Sequence, residues 1–324
     1  MTATDIWEVI IIGAGPAGLS AALILGRCCR RVLLIDRATP RSWASHAMHG
    51  YLSRDGIDPQ RFREVSLDEL ARYSNVQLRW DEAVSAARED ACTFVVRLAT
   101  GGEARARKLL LATGVSDELP PIPGVEQFFG TSVFPCPYCD GWELRNTPIA
   151  VYGRGRRGFH MARALTAWTH DIVLCTDGSS QLSRAQRAAL EANDIRLNTA
   201  PIAELLGSSG VLDGIVFANG DQVACRALFF DLPCHSQSDL VRSLGCEFTD
   251  SGGVRCGRYE ATSVPGVFVA GNILKDVQLS IVAAAEGARA AFGINRALTR
   301  EDFARRAGAV KMIDHPGPES SGRQ

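Results

Sequence analysis

Residues 135–142 read Pro-Cys-Pro-Tyr-Cys-Asp-Gly-Trp and hold the only two cysteines of the chain that stand two residues apart. That spacing brings two sulfurs within bonding reach at a turn or helix start. It also eases ionisation: a free cysteine has a pKa of about 8.5, whereas one in such a pair can fall to about 7. A structural zinc site needs four ligands, commonly from two such pairs. No second pair exists here; Cys28 and Cys29 are adjacent and the other six cysteines are isolated. Cys136 and Cys139 therefore read as a redox-active pair, and no metal site is expected. Asp140 follows directly and has two readings. It is either a carboxylate that shuttles a proton during thiol exchange or one that caps N–H groups at a helix start.

Two glycine loops offer a second kind of chemistry. Gly13-Ala14-Gly15-Pro16-Ala17-Gly18 follows the β-branched run Val9–Ile12 and precedes a helical stretch. In a G-x-G-x-x-G the first glycine permits the tight turn and the second lets backbone approach a pyrophosphate. The third lets helix and strand pack closely, and the phosphates meet the helix N-terminus. Asp36 ends the next apolar strand, where a carboxylate can bind a ribose hydroxyl. Gly153-Arg154-Gly155-Arg156-Arg157-Gly158 repeats the arrangement with three arginines able to pair with phosphates. Asp177 occupies the corresponding acidic position, which suits the free 2′-hydroxyl of NAD and repels the 2′-phosphate of NADP. The alternative for this second loop is a domain that keeps the fold without the nicotinamide.

These residues need a scaffold of two βαβ units. The first runs through Val9–Ile12, a helix at Leu19–Leu25 and a strand at Val32–Ile35; the second through Ile149–Tyr152, Phe159–Trp168 and Ile172–Cys175. Cys92–Leu98 and Ala104–Leu111 read as antiparallel strands joined at Gly101-Gly102. Pro120–Gly124 reads as a stiff interdomain linker, with a second crossing near Gly245. Val267–Ala270 is a strand, and Ile281–Leu298 a long helix. The chain of 324 residues suffices for two domains, and its 46% apolar and 22% charged residues are ordinary for a globular protein. A formal net charge of −1 gives no basic surface for nucleic acid. No uninterrupted apolar run of about twenty residues suggests a membrane span, and the glycine-broken N-terminal run lacks a basic leader. A reducing cytoplasm is the expected compartment.

Taken together, the motifs resemble the thioredoxin reductase family of flavoproteins over residues 6–298. The resemblance rests on GAGPAG at 13–18, Ala112-Thr113-Gly114, CPYCDG at 136–141, GRGRRG at 153–158, and Thr262–Asn272. It implies an α/β fold of two Rossmann-like, three-layer ββα nucleotide-binding domains. A discontinuous FAD domain (1–117 and 246–310) would flank an NAD(P) domain carrying the cysteine pair (118–245), with a disordered tail at 311–324. On this resemblance FAD is held by Gly13, Gly15, Pro16, Ala17, Gly18, Asp36, Arg37, Arg41, His49, Ala112, Thr113, Gly114, Gly271, Asn272, Gln278 and Leu279. NADPH or NADH would lie on Gly153, Arg154, Gly155, Arg156, Arg157, Gly158 and Asp177. Cys139 would face the flavin and Cys136 would attack the substrate disulfide, in a homodimer.

Three departures from the family pattern bear on direction and substrate. Thr176-Asp177-Gly178 stands where the family reads the NADP 2′-phosphate with His-Arg-Arg. Asn272 replaces an aspartate, though an amide can still hydrogen-bond a ribityl chain. The segment His46–Tyr51 is closer to related bacterial and fungal flavoproteins that act on small dithiols, some of them oxidases; those commonly carry His where this chain has Asp140. The reductase reading, with a thioredoxin-like protein or small disulfide as partner, thus stands beside a dithiol oxidase and a flavin redox sensor without turnover. Cys28, Cys29, Cys92 and Cys175 are expected in the core.

Overall fold

The structure is a computed structural model whose described residues run from Ile6 to Ala307; the expected tail at 311–324 lies outside them. Two compact units emerge. One comprises the described chain up to Arg41, then Gln60–Val115 and the chain from Ser236 on; the other comprises Ser42–Pro59 and Ser116–His235.

The first unit begins with β1 (Ile6–Ile12), α1 (Pro16–Arg27), β2 (Val32–Asp36), α2 (Pro59–Leu70) and β3 (Val76–Trp80). A meander of β4 (Ala83–Arg88), β5 (Phe94–Leu98) and β6 (Glu103–Leu111) follows. The strand order is β3-β2-β1-β6-β5-β4, parallel from β3 to β6 and antiparallel through the meander. The unbroken apolar run in β1 follows from burial on both faces. Val9 and Ile11 pack in the core that contains α1, while Ile10 and Ile12 pack with Phe94 and Val96 of the meander.

The chain then passes through β7 (Val115–Asp117) into the second unit. There β8 (Val133–Phe134), α3 (Pro137–Asp140), β9 (Ile149–Tyr152), α4 (Gly155–Leu165), β10 (Ile172–Cys175), α5 (Arg184–Glu191) and β11 (Arg196–Asn198) appear in turn. An antiparallel set of β12 (Ile202–Ser208), β13 (Val211–Phe217) and β14 (Gln222–Ala224) precedes β15 (Ala227–Phe230). The parallel sheet has the order β11-β10-β9-β15-β8. Its two faces bury separate cores, one with α4 residues Met161, Ala162 and Leu165, the other with Leu212, Ile215 and Phe217 of β13. Each unit is thus a three-layer ββα, Rossmann-like fold. Through β16 (Cys234–Ser236), which pairs with β7, the chain returns to the first unit. It ends with α6 (Leu240–Ser243), β17 (Val267–Val269) beside β6, and α7 (Ser280–Arg306).

Several segments differ from the sequence expectation. Pro120–Gly124 is no free spacer: Ile122 is buried in the second unit's core with Val133 and Leu228. Residues 240–246 belong to the first unit, because Leu240, Val241 and Cys246 pack with Ile10 and Leu109. Of the four cysteines expected in the core only Cys175 is buried. Cys28 and Cys29 sit where α1 ends, Cys92 sits in the β4–β5 turn, and all three are exposed. Burial pushes the Cys175 thiol far up and that of Cys225 up to about 12, so both remain protonated.

The last turns of α7 are fixed by a compact charge network. Arg30 bonds Glu8 at 2.6 Å and Asp302 at 2.7 Å; Arg107 reaches Glu301 at 2.8 Å and Asp302 at 2.7 Å; Lys108 pairs with Glu301. Burial raises the Glu301 carboxyl, but hydrogen bonds from Lys108 and Arg107 outweigh it and hold the group below its ordinary value. A carboxylate with a depressed folded-state pKa stabilises above its unfolded value and loses that contribution as pH falls. Glu301→Gln is therefore expected to cost about 1–3 kcal/mol near neutral pH in urea unfolding. The gap from wild type should close below about pH 4; a gap unchanged in acid would refute the account.

Candidate functional site

The first glycine loop joins β1 to α1 with almost no room inside it. Gly13 has φ +106°, and an added Cβ there would lie 2.3 Å from the Ala112 carbonyl oxygen. A Cβ at Gly18 would fall 1.8 Å from the Gly13 oxygen, whereas one at Gly15 would meet nothing within 4 Å. The loop is packed on its inner side and open at Gly15, as close approach of a pyrophosphate requires. Pro16 starts α1, its missing N–H costing nothing at that position. Ala112-Thr113-Gly114 runs directly beneath the loop, and the Thr113 hydroxyl is buried with no hydrogen-bond partner. An orphaned hydroxyl at the floor of the loop fits a site that takes a polar ligand.

The other residues expected at FAD converge in part. Asp36 Oδ2 accepts from the Ala14 N–H at 2.6 Å and Oδ1 from the Ala38 N–H at 2.7 Å, and the carboxylate pairs with Arg63. Arg37 is turned to Thr39, Glu82 and Gln237. Arg41 Nη1 donates to Gln278 Oε1, which brings two of the expected residues together. Gly271 adopts φ +83° and abuts Ala17, a Cβ there lying 3.1 Å from that of Ala17. Asn272 opens a 3-10 turn after Gly271, and Leu279 caps α7. His49 lies in the second unit, where the whole segment 42–59 packs; its neighbours are Asp55 at 3.5 Å and Glu143 at 3.6 Å.

Two residues escaped the sequence reading here. Arg63, on α2, holds Asp36 and stacks on Trp80, 4.8 Å from the ring centre. Glu286, on α7, accepts the Gly271 N–H at 2.8 Å. Glu286 did leave a signal, as the single carboxylate within Ala283-Ala284-Ala285-Glu286-Gly287; Arg63 left none, being one of several charged residues on α2.

The second loop repeats the tight crossing. A Cβ at Gly158 would fall 2.4 Å from the Gly153 oxygen, and Gly155 has φ +55°. Its arginines are disposed differently from one another. Arg154 folds back, Nε donating to the Thr176 carbonyl at 2.7 Å and Nη2 bonding the Asp177 carbonyl. Arg156 Nε donates to His160 at 3.0 Å. Asp177 Oδ1 accepts the Ile202 N–H at 3.0 Å, while Oδ2 lies 3.4 Å from Arg154. The acid expected to read a ribose thus already has protein partners.

Cys136 and Cys139 form a disulfide across the first turn of α3, both half-buried. Cys136 is the helix cap, and its sulfur accepts the Cys139 N–H at 3.2 Å. That donor stabilises negative charge on Cys136 once the bond opens. Gly141 allows the turn to close against Trp168, whose ring would lie 2.9 Å from an added Cβ. The Asp140 carboxylate caps nothing: among the described residues it receives no hydrogen bond. Burial pushes its pKa up to about 7, with the charge of His49 lowering it and that of Glu143 raising it. A carboxyl that titrates near neutrality beside a disulfide can both give and take a proton. Among the described residues no cluster of His, Cys, Asp and Glu suits a metal, and no helix is long and apolar enough to cross a membrane.

Two nucleotide-type folds and a cysteine pair on the second define a flavin- and nicotinamide-linked disulfide oxidoreductase. The chain matches the description "Pyridine nucleotide-disulphide oxidoreductase" over residues 7–287. It is 32% identical to thioredoxin reductase tcpT of Claviceps purpurea, spanning 86% of this chain and 90% of that one. The crystal structure of HlmI superposes with a TM-score of 0.91 at 35% identity, covering 95% and 97% of the two chains. That of TrxB of Bacillus anthracis, described as a thioredoxin reductase, gives 0.87 at 32%, covering 92% and 100%. The chain belongs to the pyridine nucleotide-disulphide oxidoreductase family and is a thioredoxin reductase-like member of it. Membership implies dependence on FAD and NAD(P)H.

Asp140→Asn tests the titrating carboxyl. Reduction of the Cys136–Cys139 disulfide by dithiothreitol, corrected for the reagent's own thiolate fraction, is expected to slow above an inflection near pH 7, where Asp140 loses its proton. The variant should lack that inflection and react on the order of 100-fold more slowly below it, the usual contribution of a placed general acid. An inflection retained in the variant would assign it elsewhere.

Proposed function

We propose that this protein is a disulfide reductase that passes electrons from NAD(P)H through FAD and the Cys136–Cys139 disulfide to an external disulfide. The observation that carries the reading is the arrangement at α3: a disulfide with an N–H aimed at Cys136 and a neutral-range carboxyl next to Cys139. The first unit is the FAD domain in this reading, with the open side of Gly15, the Thr113 hydroxyl and Asp36 as its holders; the second takes the nicotinamide along Gly153–Gly158. FAD, when bound, accepts hydride from the nicotinamide and supplies two electrons to the disulfide.

The protein's own residues then handle thiols and protons. Reduction of the disulfide gives one thiolate and one thiol. Cys136, stabilised as thiolate by the Cys139 N–H, attacks one sulfur of the substrate, and the substrate's other sulfur leaves with a proton. Cys139 next attacks Cys136, which restores the internal disulfide and releases the second substrate sulfur as a thiolate that takes its proton from water. Asp140, uncharged in part at neutral pH, donates to the leaving sulfur and recovers the proton from Cys139. The partner is a thioredoxin-like protein or a small disulfide, and the compartment is the cytoplasm, where such a pair is kept cycling.

A second reading runs the electrons the other way, from a small dithiol through the cysteine pair and FAD to oxygen. It is favoured by one observation: Arg154 of the second glycine loop is folded onto the Thr176 and Asp177 carbonyls instead of standing free for a phosphate. Anaerobic addition of NADH or NADPH to the flavoprotein separates the two. Rapid flavin bleaching is expected under the first, with NADH preferred because Asp177 repels a 2′-phosphate. Bleaching by a dithiol alone would leave only the second. Cys139→Ser is expected to keep nicotinamide-driven bleaching and abolish disulfide reduction; surviving disulfide reduction would refute the role of the pair.

A further inference from the structure

The first unit contains one buried and one half-buried acid, Glu260 and Glu286, that the disulfide chemistry does not use. Glu286 accepts the Gly271 N–H, and Glu260 is 3% exposed with one carboxylate oxygen lacking any partner. Arg289 lies 3.3 Å from Glu260 Oε1, and its charge also acts on Glu286. The backbone is forced to make this arrangement. Tyr259 and Glu260 both have left-handed φ, +60° and +59°, a conformation unusual for two successive non-glycine residues. Gly293 lets that turn lie on α7, where a Cβ would come 2.6 Å from the Tyr259 Cβ. Gly271, at the other end, has a φ that L side chains rarely adopt, and it rests on Ala17 of the first glycine loop.

We propose that Glu286 is a positioning residue for FAD, fixing the Gly271 peptide so that Gly271-Asn272 and the first glycine loop present one rigid surface to the cofactor. The proposal rests on the reading that the first unit holds FAD, and adds to it a residue that acts through the Gly271 peptide. Only the ionised carboxylate is a full-strength acceptor for the Gly271 N–H. Burial raises the Glu286 pKa, the Gly271 bond lowers it, Asp276 raises it, and Arg289 lowers it. Glu260 stands on the same Arg289, and Cys256 feels both Glu260 and Glu286. Burial outweighs the Gly271 bond and the Arg289 charge, so Glu286 takes up a proton at a higher pH than an exposed glutamate does. FAD retention then weakens through the Gly271 peptide as the medium turns mildly acidic.

The test uses the holoprotein and follows flavin occupancy on gel filtration and FAD release by flavin fluorescence after dilution. Glu286→Ala is expected to release FAD about 10- to 100-fold faster near neutrality, the factor for losing a hydrogen bond to a charged acceptor. Glu286→Gln keeps an acceptor oxygen without a titrating group. Its release should stay within about fivefold of wild type at neutral pH and remain flat as pH falls from neutrality toward the ordinary glutamate value, over which wild-type release quickens. A folded Glu286→Ala holoprotein that keeps FAD as wild type does would overturn the proposal. If that variant does not fold, Glu286→Gln decides alone, and a pH dependence matching wild type overturns it. Wild-type protein without flavin, and unable to take it up, would overturn the cofactor assignment and the proposal with it.

Discussion

Everything in the first unit depends on how closely two backbones approach Ala17. A Cβ on Gly287 of α7 would lie 2.0 Å from the Ala17 carbonyl oxygen, and one on Gly271 would lie 3.1 Å from the Ala17 Cβ. The absence of two side chains therefore lets α1, α7 and the turn after β17 occupy one small volume. The alanine-rich faces of both helices continue that contact through Ala21, Ala22, Ala290 and Ala291, all fully buried. Dispersion between such closely spaced backbones replaces the larger side chains that a looser helix pair would need. A loop held this firmly keeps its N–H groups pointed outward, and pre-set donors are what binding a pyrophosphate demands.

The second unit shows the same economy turned to a different end. Its glycine loop has the same crossing of first and third glycine, yet the neighbouring polar groups face inward: Arg154 closes the carbonyl ends at Thr176 and Asp177. The reactive part lies on α3, a single turn. There Asp140 owes its raised pKa to burial and to the absence of a hydrogen-bond donor, since a donor would hold it ionised. The half-buried setting of the pair is thus a compromise between access for a substrate sulfur and enough desolvation to keep a proton on the acid.

Much of this was legible in the sequence because it was written in local code. Glycines at fixed spacing, a strand of four apolar residues and a cysteine pair each specify a turn or an element without reference to distant residues. Ile149–Tyr152 and Ile172–Cys175 were read to the residue. What escaped reading depends on contacts across the chain. Cys28 and Cys29 looked like core because they follow an apolar helix, yet α1 ends just before them and Cys29 turns left-handed. Pro120–Gly124 looked like a spacer because prolines are stiff, but Ile122 within it finds a buried seat. Asp36 and Asp177 are identified by position; Arg63, which pairs with Asp36, lies outside any motif, and Arg154, inside one, turns to Asp177. A motif records which groups the backbone needs, and it does not record which side chains will already be hydrogen-bonded when a ligand arrives.

The joining of α1 to α7 also sets a timetable. About 270 residues of chain separate Ala17 from Gly287, and a ribosome adding roughly 5–20 residues per second needs on the order of ten to fifty seconds to make them. Through that interval the alanine face of α1 has no helix to cover it, while the second unit, apart from its short early segment, is made as one continuous stretch and can fold behind it. Birth order therefore runs opposite to sequence order: the unit begun first is completed last. A nascent chain that pauses late exposes the very surface on which the glycine loop relies.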